Sequence, residues 1–560
     1  MKIFLAQQNY HIGNFEANTA KIIDAIRQAK LQGGDLIVFS ELSVCGYPPR
    51  DFLEFNDFIE QCEKAVDAIR KEADIIGVII GAPTRNKETL GKDLHNSAYL
   101  LYNEEIVGIA HKTLLPTYDI FDEYRYFEPA DSWNVIEFKG RRIALTVCED
   151  IWNLGNNPLY KICPMDKLME QRPDIMINIS ASPFNYLHAE GRMSMIKQNV
   201  AKYKLPMVYC NTVGSQTEIV FDGGSVVMDT HQNLIAELPY FAEALQSVTL
   251  KDDKTFAEAP VKHAAEIPTA ELLPDGFDDD YDIDEIHLAL ILGIRDYFGK
   301  LGFTKAIVAS SGGIDSAVVL ALACEALGAE NVRALLMPSH YSTSHSVTDA
   351  EQLSKNLNNH YDILPIKDIF NTYEHTLEPV FKDLPFNVAE ENLQSRIRGA
   401  LVMALSNKFG SILLNTSNKS ELSTGYGTLY GDMAGGLGVL GDLYKMQVYA
   451  LARYINRNGE IIPQNIIDKA PSAELRPDQK DSDSLPEYDV LDPILYQYIE
   501  CRKGPKEIIA MGFDVALVNR ILRLVNMNEY KRNQFCPIIR VSPKAFGIGR
   551  RVPIVGKYLS

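Results

Sequence analysis

Glu41, Lys112 and Cys148 each stand at or just past an apolar run, in DLIVFSE, IVGIAHK and IALTVCEDIW respectively. Those residue types suit acyl transfer. A thiol can attack a carbonyl, a neighbouring ammonium favours its thiolate by lowering the pKa, and a carboxylate can act as general base. Singly, each has an ordinary reading as a half-buried cysteine, a surface lysine or a strand-end glutamate. They become a site only if strand ends converge on one edge of a sheet.

A second constellation lies in KAIVASSGGIDSAVVLALACEAL, Lys305 to Leu327, where a β-branched run meets a Gly-Gly turn and then an apolar helical pattern. Gly312 and Gly313 let backbone N–H groups approach an anion closely, and Ser310, Ser311 and Ser316 add hydroxyl donors. The helix that follows, with Asp315 or Ser316 expected as its N-cap, directs unpaired amides and its positive dipole end toward the same point. This is a phosphate-binding pattern. It has neither the lysine of G-x-x-x-x-G-K-[ST] nor the spacing of G-x-G-x-x-G, which weakens kinase, GTPase and dinucleotide-oxidoreductase readings. Farther on, Glu421 follows the apolar run SILLNTS and offers the hard oxygen donor that Mg²⁺ bridging phosphates requires. Asp432 is open to a structural or a ligand role.

At 560 residues the chain exceeds what one hydrophobic core supports, so two or more domains are expected. Up to about residue 250, short apolar runs alternate with amphipathic stretches near Glu16 to Leu31, Asp57 to Lys71 and Ala189 to Tyr203. This is an α/β pattern, and tight polar turns such as Lys139 and Gly140 predict a mixed sheet. Residues 251–283 are acidic and Ala/Pro-rich, an expected linker. From 284 to 560 longer helices separate the strands. A doubly wound parallel sheet is expected there, with ligands beyond the carboxyl ends of its strands. A net charge of −19 argues against a nucleic-acid partner. Eight cysteines without a C-x-x-C pair suit a reducing compartment, and no apolar run approaches 18 residues, so a cytoplasmic protein off the membrane is expected.

FSELSVCGYPPRD, HKTLLPTYDIFDE, TVCEDIW and NISASPFNYLHAEGR resemble the nitrilase superfamily, specifically its glutaminase branch, across the first 250 residues. The resemblance implies an αββα sandwich with Cys148 as nucleophile, Glu41 as general base and Lys112 stabilising the tetrahedral oxyanion. It also implies a γ-glutamyl thioester, with Tyr118, Ser182 and His188 facing the glutamine. A second glutamate near such a triad would be Glu123 or Glu128, and the sequence leaves both open.

The S-G-G-I-D-S string resembles the pyrophosphatase-type loop of enzymes that adenylate a substrate, which implies an adenine-nucleotide-hydrolase-like fold with Ala309, Ser310, Ser311, Gly312, Gly313, Ile314, Asp315 and Ser316 on ATP. EENLQSRIRGALVMALSN, LLNTSNKSELSTGYGTLYGDMAGG, GDLYKMQVYALARYI, APSAELRPDQKDSDSLPEYDVLD and EYKRNQ extend a resemblance to NAD synthetases over nearly all of residues 285–550. That family pattern implies Thr416 and Lys445 on ATP, with Lys445 against the departing pyrophosphate. It implies Asn392, Arg396, Glu421 and Lys531 on deamido-NAD, and Glu421 beside Mg²⁺. The turn before Lys445 reads GLGVLGD where an Asn-Pro turn is expected, a departure that bears on how Lys445 is placed.

The combined resemblance implies glutamine, ATP as co-substrate and deamido-NAD as substrates, and a homo-oligomer. Because free ammonia is mostly protonated near neutral pH, two such half-reactions in one chain lead to the expectation of internal ammonia passage. Another glutamine-dependent adenylating amidotransferase would normally carry a different glutaminase domain. A plain amidase leaves the phosphate loop without a role, and a non-catalytic nucleotide sensor would tolerate loss of Glu41, Lys112 and Cys148.

Overall fold

Consecutive apolar residues in the central N-terminal strands give those strands two apolar faces, and the structure covers both. The computed structural model describes residues 1–88, 90–154, 158–261, 282–477, 479, 481–483 and 485–559. The chain divides into two units, Met1–Glu266 and Ile267–Ser560.

In the first unit, β1 (Lys2–Gln7), α1 (Phe15–Leu31), β2 (Leu36–Val38), α2 (Asn56–Arg70), β3 (Gly77–Arg85), β4 (Leu94–Tyr102) and β5 (Glu105–His111) precede β6 (Ile136–Phe138) and β7 (Arg141–Val147). Then come α3 (Pro164–Met169), β8 (Ile175–Ser180), α4 (His188–Tyr203), β9 (Met207–Asn211), β10 (Val213–Gln216), β11 (Ile219–Asp222), β12 (Val226–Met228), β13 (Leu234–Glu237) and β14 (Ala244–Thr249). Two six-stranded mixed sheets result, ordered β14-β1-β2-β3-β4-β5 and β13-β12-β9-β8-β7-β6. Each has a parallel centre, β1-β2-β3 or β7-β8-β9, and antiparallel margins.

Leu5, Val38 and Ile79 of one sheet pack with Leu145, Ile177 and Val208 of the other in a shared core. The alternate residues Phe4, Ile37 and Val78 face α1 and α2, while Ala144, Met176 and Met207 face α3 and α4. This is the expected αββα layering, produced by the two-residue strand period. The expected linker starts too early, however. Phe256 is buried in the inter-sheet core, and the Glu258 carboxylate accepts from Thr249 N at 3.0 and 2.9 Å, so this stretch belongs to the first unit. Residues 262–281 of the linker lie outside the described residues.

The second unit runs α5 (Asp282–Leu301), β15 (Ala306–Ala309), α6 (Ile314–Leu327), β16 (Val332–Leu336), α7 (Ser344–Leu357), β17 (His360–Ile363), α8 (Lys367–Phe381), α9 (Val388–Phe409), β18 (Ile412–Asn415), α10 (Lys419–Thr424), β19 (Leu437–Gly438) and α11 (Lys445–Ile455). Its five strands are all parallel in the order β17-β16-β15-β18-β19. Ile307, Leu335 and Leu413 pack against Phe370 of α8 and Ile397 and Val402 of α9. On the other side α6, buried on most of its circumference, packs against β15 and β16 and is covered by α5 and α11. Chain direction across the sheet reverses between β15 and β18. That crevice is where ligands bind in doubly wound sheets. The remaining helices, α12 (Gln464–Asp468), α13 (Tyr488–Ile499), α14 (Pro505–Ala510), α15 (Val515–Met527) and α16 (Glu529–Arg532), follow in sequence. Of these, α13, α14 and α15 share an apolar cluster with Leu422 of α10.

Candidate active sites

In the first unit, the loop after β2 lies directly on β3. A Cβ on Gly81 would stand 2.2 Å from Leu42 N, so only glycine lets the backbone beside Glu41 come this close. Gly81 also ties the loop through its N–H to Ser43 Oγ at 3.2 Å and through its carbonyl to Val44 N at 3.1 Å. Lys112 directly follows β5, its N–H held by Asn96 O at 2.8 Å. Its Nζ donates to Glu41 Oε1 at 2.7 Å and to Glu123 Oε1 at 2.8 Å, and all three side chains are buried. Asn96 Nδ2 donates to Glu41 Oε1 at 2.7 Å, Ala181 N to Glu41 Oε2 at 3.0 Å, and Tyr47 OH to Glu123 Oε1 at 2.7 Å. Glu128 is elsewhere, accepting from Lys92 N at 2.9 Å. Of the two candidate glutamates, Glu123 is the one at the lysine.

Cys148 is the first residue after β7, with φ +44°, a left-handed conformation uncommon for a side chain with a Cβ. Asp150 fixes this turn, accepting from Val147 N at 3.1 Å and from Thr113 N and Leu114 N at 2.9 Å each. The turn at the end of β7 is thereby joined to the segment carrying Lys112. The centre is thus drawn from both sheets: Glu41 and Lys112 follow strands of the first, Cys148 and Ala181 strands of the second.

Burial works against the charge of Lys112, but Glu123 and Glu41 outweigh it and raise its pKa. Burial also raises the Cys148 thiol well above its usual value, Glu41 adds to this, and Lys112 opposes without prevailing. The expected lowering of the Cys148 pKa by Lys112 is therefore corrected to a net rise. The resting sulfur is a thiol, because burial and the neighbouring carboxylates outweigh one ammonium.

The Tyr118 hydroxyl donates to Glu149 Oε1 at 2.9 Å, and Tyr160 OH donates to the same oxygen at 3.1 Å. Burial pushes Glu149 up to about 7 and Asp150 up to about 6. Glu149, absent from the sequence-based site, was signalled only by its adjacency to Cys148. Ser182 is buried, its N–H on Asn211 Oδ1 at 2.9 Å. His188 opens α4, and its side chain lies outside the described residues.

In the second unit, a cavity of about 280 Å³ at the β15/β18 crevice is lined by Ala309, Ser310, Ser311, Gly313, Ile314, Asp315, Ser316, Thr416, Glu421 and Lys445, with Arg398, Asp432 and Asp481. Gly312 has φ +81°, and a Cβ there would meet Ser346 O at 2.3 Å. The N-cap of α6 is Gly313, not Asp315 or Ser316 as expected. Ser316 Oγ instead bonds back to Gly313 O at 3.0 Å. Asp315, freed from capping, accepts from Lys445 Nζ at 2.5 Å and from Asn418 Nδ2 at 2.9 Å. Lys445 Nζ is also 3.6 Å from Glu421 Oε1.

Burial opposes the charge on Lys445, yet Asp315 and Glu421 raise its pKa. Burial, with Asp315 nearby, pushes Glu421 up to about 8. The Ser310 hydroxyl is buried without a partner among the described residues. A buried unpaired hydroxyl in a cavity wall is a place for a ligand's polar atom. No three His, Cys, Asp or Glu side chains among the described residues group closely enough to enclose a metal. Asp315 and Glu421, meeting at one cation, nevertheless fit Mg²⁺ that completes its shell from phosphates and water.

Asn392, Arg396 and Lys531 are not in that cavity wall. They gather instead on the loop after α10: Asn392 Oδ1 accepts from Thr428 Oγ1 at 2.6 Å, Arg396 Nε donates to Leu429 O at 3.3 Å, and Lys531 Nζ donates to Gly425 O and Gly427 O at 2.8 and 2.9 Å. Arg398, two residues from Arg396 and so on another side of α9, is the arginine in the cavity; burial lowers it to about 10. Asp432 caps its own loop, accepting from Thr428 N at 2.6 Å, and also lines the cavity.

Residues 2–255 match the carbon-nitrogen hydrolase family model and residues 286–535 the NAD synthase model. A glutamine-dependent NAD(+) synthetase of Synechocystis sp. is 44% identical over 99% of this chain and 98% of its own length. One of Thermotoga maritima is 39% identical over 100% and 99%. The solved structure of glutamine-dependent NAD+ synthetase from Acinetobacter baumannii in complex with adenosine diphosphate aligns with a TM-score of 0.77 at 38% identity, covering 99% of this chain and 98% of that one. A glutamine-dependent NAD(+) synthetase from Cytophaga hutchinsonii, 20% identical, shares the fold with a TM-score of 0.79 over 100% and 98% of the two chains. With similarity sustained through both units, the chain belongs to the family of glutamine-dependent NAD(+) synthetases.

Proposed function

We propose that the chain makes NAD from deamido-NAD, ATP and glutamine, hydrolysing glutamine at Cys148 and forming the new amide at the cavity of the second unit. The observation that carries this reading is the presence, in one chain, of a buried Glu41–Lys112–Glu123 cluster flanking Cys148 and a phosphate loop facing Lys445 and Glu421.

As Cys148 Sγ attacks the side-chain carbonyl of glutamine, Glu41 takes the thiol proton. This concerted transfer suits a sulfur that rests protonated. Lys112, held charged by its two carboxylates, stabilises the oxyanion. Glu41 then returns the proton to the leaving nitrogen, ammonia departs, and the γ-glutamyl thioester on Cys148 is hydrolysed to glutamate. Glu123 holds Lys112 in place. Tyr118, Ser182 and His188 are assigned to the glutamine, and Glu149, fixed by two tyrosine hydroxyls, offers a carboxylate for its ammonium group.

In the second unit the nicotinate carboxylate of deamido-NAD attacks the α-phosphorus of ATP and pyrophosphate leaves. Residues 309–316 and Thr416 hold the nucleotide, and Lys445 faces the departing charge. Glu421 and Asp315 would hold Mg²⁺, which when bound neutralises phosphate charge. Asn392, Arg396, Glu421 and Lys531 are assigned to deamido-NAD. Ammonia attacks the acyl adenylate, and NAD and AMP result. Because free ammonia is largely protonated near neutral pH, direct internal delivery from Cys148 is part of the proposal. A homo-oligomer and a cytoplasmic location complete it, the latter supported by eight free cysteines. Among the described residues no helix is long and apolar enough to cross a membrane.

The deciding experiment is Cys148→Ala assayed with glutamine and, separately, with an ammonium salt. Glutamine-supported NAD formation should disappear while ammonium-supported formation persists. Normal glutamine use would refute the nucleophile, and no conversion of deamido-NAD by wild type with excess ammonium would refute the identification.

A further inference from the structure

Lys445 carries its ammonium on four rotatable bonds, so its aim depends on how its backbone is held. It is the first residue of α11, where backbone N–H groups have no partner inside the helix. Two of those groups are met by side chains from other helices. Lys445 N donates to Ser420 Oγ at 2.9 Å, and Ser420 Oγ donates to Asp492 Oδ1 at 2.5 Å. The other oxygen of that carboxylate, Asp492 Oδ2, accepts from Met446 N at 2.9 Å. Asp492 is fully buried on α13 among the apolar Leu491, Ile494 and Leu495. A carboxylate in such a setting is costly unless hydrogen-bonded, and its described hydrogen bonds all go to this relay. Ser420 is also the residue before Glu421. One buried carboxylate therefore ties the segment bearing Glu421 to the helix bearing Lys445.

We propose that Asp492, acting through Ser420, is a positioning residue for adenylation, setting the start of α11 so that Lys445 meets the phosphate charge beside Glu421. The inference rests on the role given to Lys445 above and adds residues that touch no substrate. Ser420→Ala removes the acceptor of Lys445 N, and Asp492→Asn turns one of the two accepting carboxylate oxygens into an N–H donor, so that Ser420 Oγ and Met446 N can no longer both donate to it, while Lys445, Glu421 and the phosphate loop stay in the chain. A misplacement on the order of 1 Å of a catalytic group can cost about 100-fold in rate.

The test uses the full-length protein in ammonium-supported NAD synthesis, comparing Asp492→Asn, Ser420→Ala, Lys445→Met and the double variant Lys445→Met with Asp492→Asn, alongside thermal midpoints. Asp492→Asn and Ser420→Ala should lower kcat about 10- to 100-fold, with KM for deamido-NAD within about twofold of wild type. Asp492→Asn should add little further loss once Lys445 is already methionine. Unchanged kcat in both Asp492→Asn and Ser420→Ala would overturn the proposal. So would a raised KM and lowered thermal midpoint with kcat intact, which would mark Asp492 as structural only. Losses that multiply fully in the double variant would also overturn it, because Asp492 would then act independently of Lys445. If Asp492→Asn does not fold, Ser420→Ala decides by the same criteria. Full activity in Lys445→Met would instead strike the role of Lys445 itself, a separate failure visible in that variant alone.

Discussion

At its candidate site each unit sets a buried lysine between two carboxylates, and the two arrangements differ in what they leave unfinished. Around Lys112, the oxygens of Glu41 and Glu123 are occupied by Lys112, Asn96, Ala181 N and Tyr47, all within the protein. Around Lys445, Asp315 and Glu421 border an open cavity whose wall includes the Ser310 hydroxyl, unpartnered among the described residues. The first cluster is complete before substrate arrives and has only to shift one proton at one sulfur. The second is built to be completed by phosphates and a cation. Pre-organisation suits a small neutral amide, while incompleteness suits a polyanion.

The largest expected effect tests whether the first cluster is self-sufficient. Lys112→Met leaves two carboxylates buried together without their cation, which should cost about 3–5 kcal/mol in urea unfolding of the first unit. A loss under about 1 kcal/mol would erase the contrast, since exposed pairs are worth no more than that. Next, Lys445→Met should reduce ammonium-supported synthesis by about 100- to 1,000-fold in kcat, the usual penalty for removing one preorganised charge stabiliser. A fall confined to KM for ATP would recast Lys445 as a ground-state contact.

Glu149 gives the first unit a pH signature that its substitution can isolate. Its folded carboxyl titrates near 7 against 4.5 when unperturbed, so between those values the folded state holds an extra proton. Stability should fall as pH rises through that window, by on the order of 3 kcal/mol, and Glu149→Gln should flatten the profile. Equal slopes for wild type and variant in pH-dependent unfolding would contradict it. The smallest effect is expected from Gly81→Ala, which forces the Glu41 loop off β3 at a cost of about 1–3 kcal/mol and should slow glutamine hydrolysis while sparing ammonium-supported synthesis. Impairment of both activities to the same degree would show that the two centres are not separable.

The alternating apolar runs made most strands and long helices legible, because period-two and period-3.6 patterns survive without knowledge of partners. Pairing across distance was not legible: β14 closes the first sheet against β1, and Phe256 returns to its core, contacts between residues some 250 positions apart in sequence that no local window contains. Glu41, Lys112 and Cys148 stood out because each ends an apolar run. Glu123 could not be told from Glu128 because both sit in one irregular segment, and only the turn at Glu123–Arg125 directs the first toward Lys112. The net direction of the Cys148 pKa is not legible because burial, absent from a sequence, outweighs a nearby ammonium. Arg398 and Asp492 were missed because both look like ordinary helix residues until the helix faces are known.

The amide of Ala181, at the end of β8 in one sheet, holds the carboxylate of Glu41, which follows β2 in the other. A bond that bridges the seam of the sandwich makes glutamine hydrolysis a gauge of how tightly the layers are clamped. Mild urea or pressure that loosens the seam, with both layers still intact by circular dichroism, should silence hydrolysis well before the unit melts.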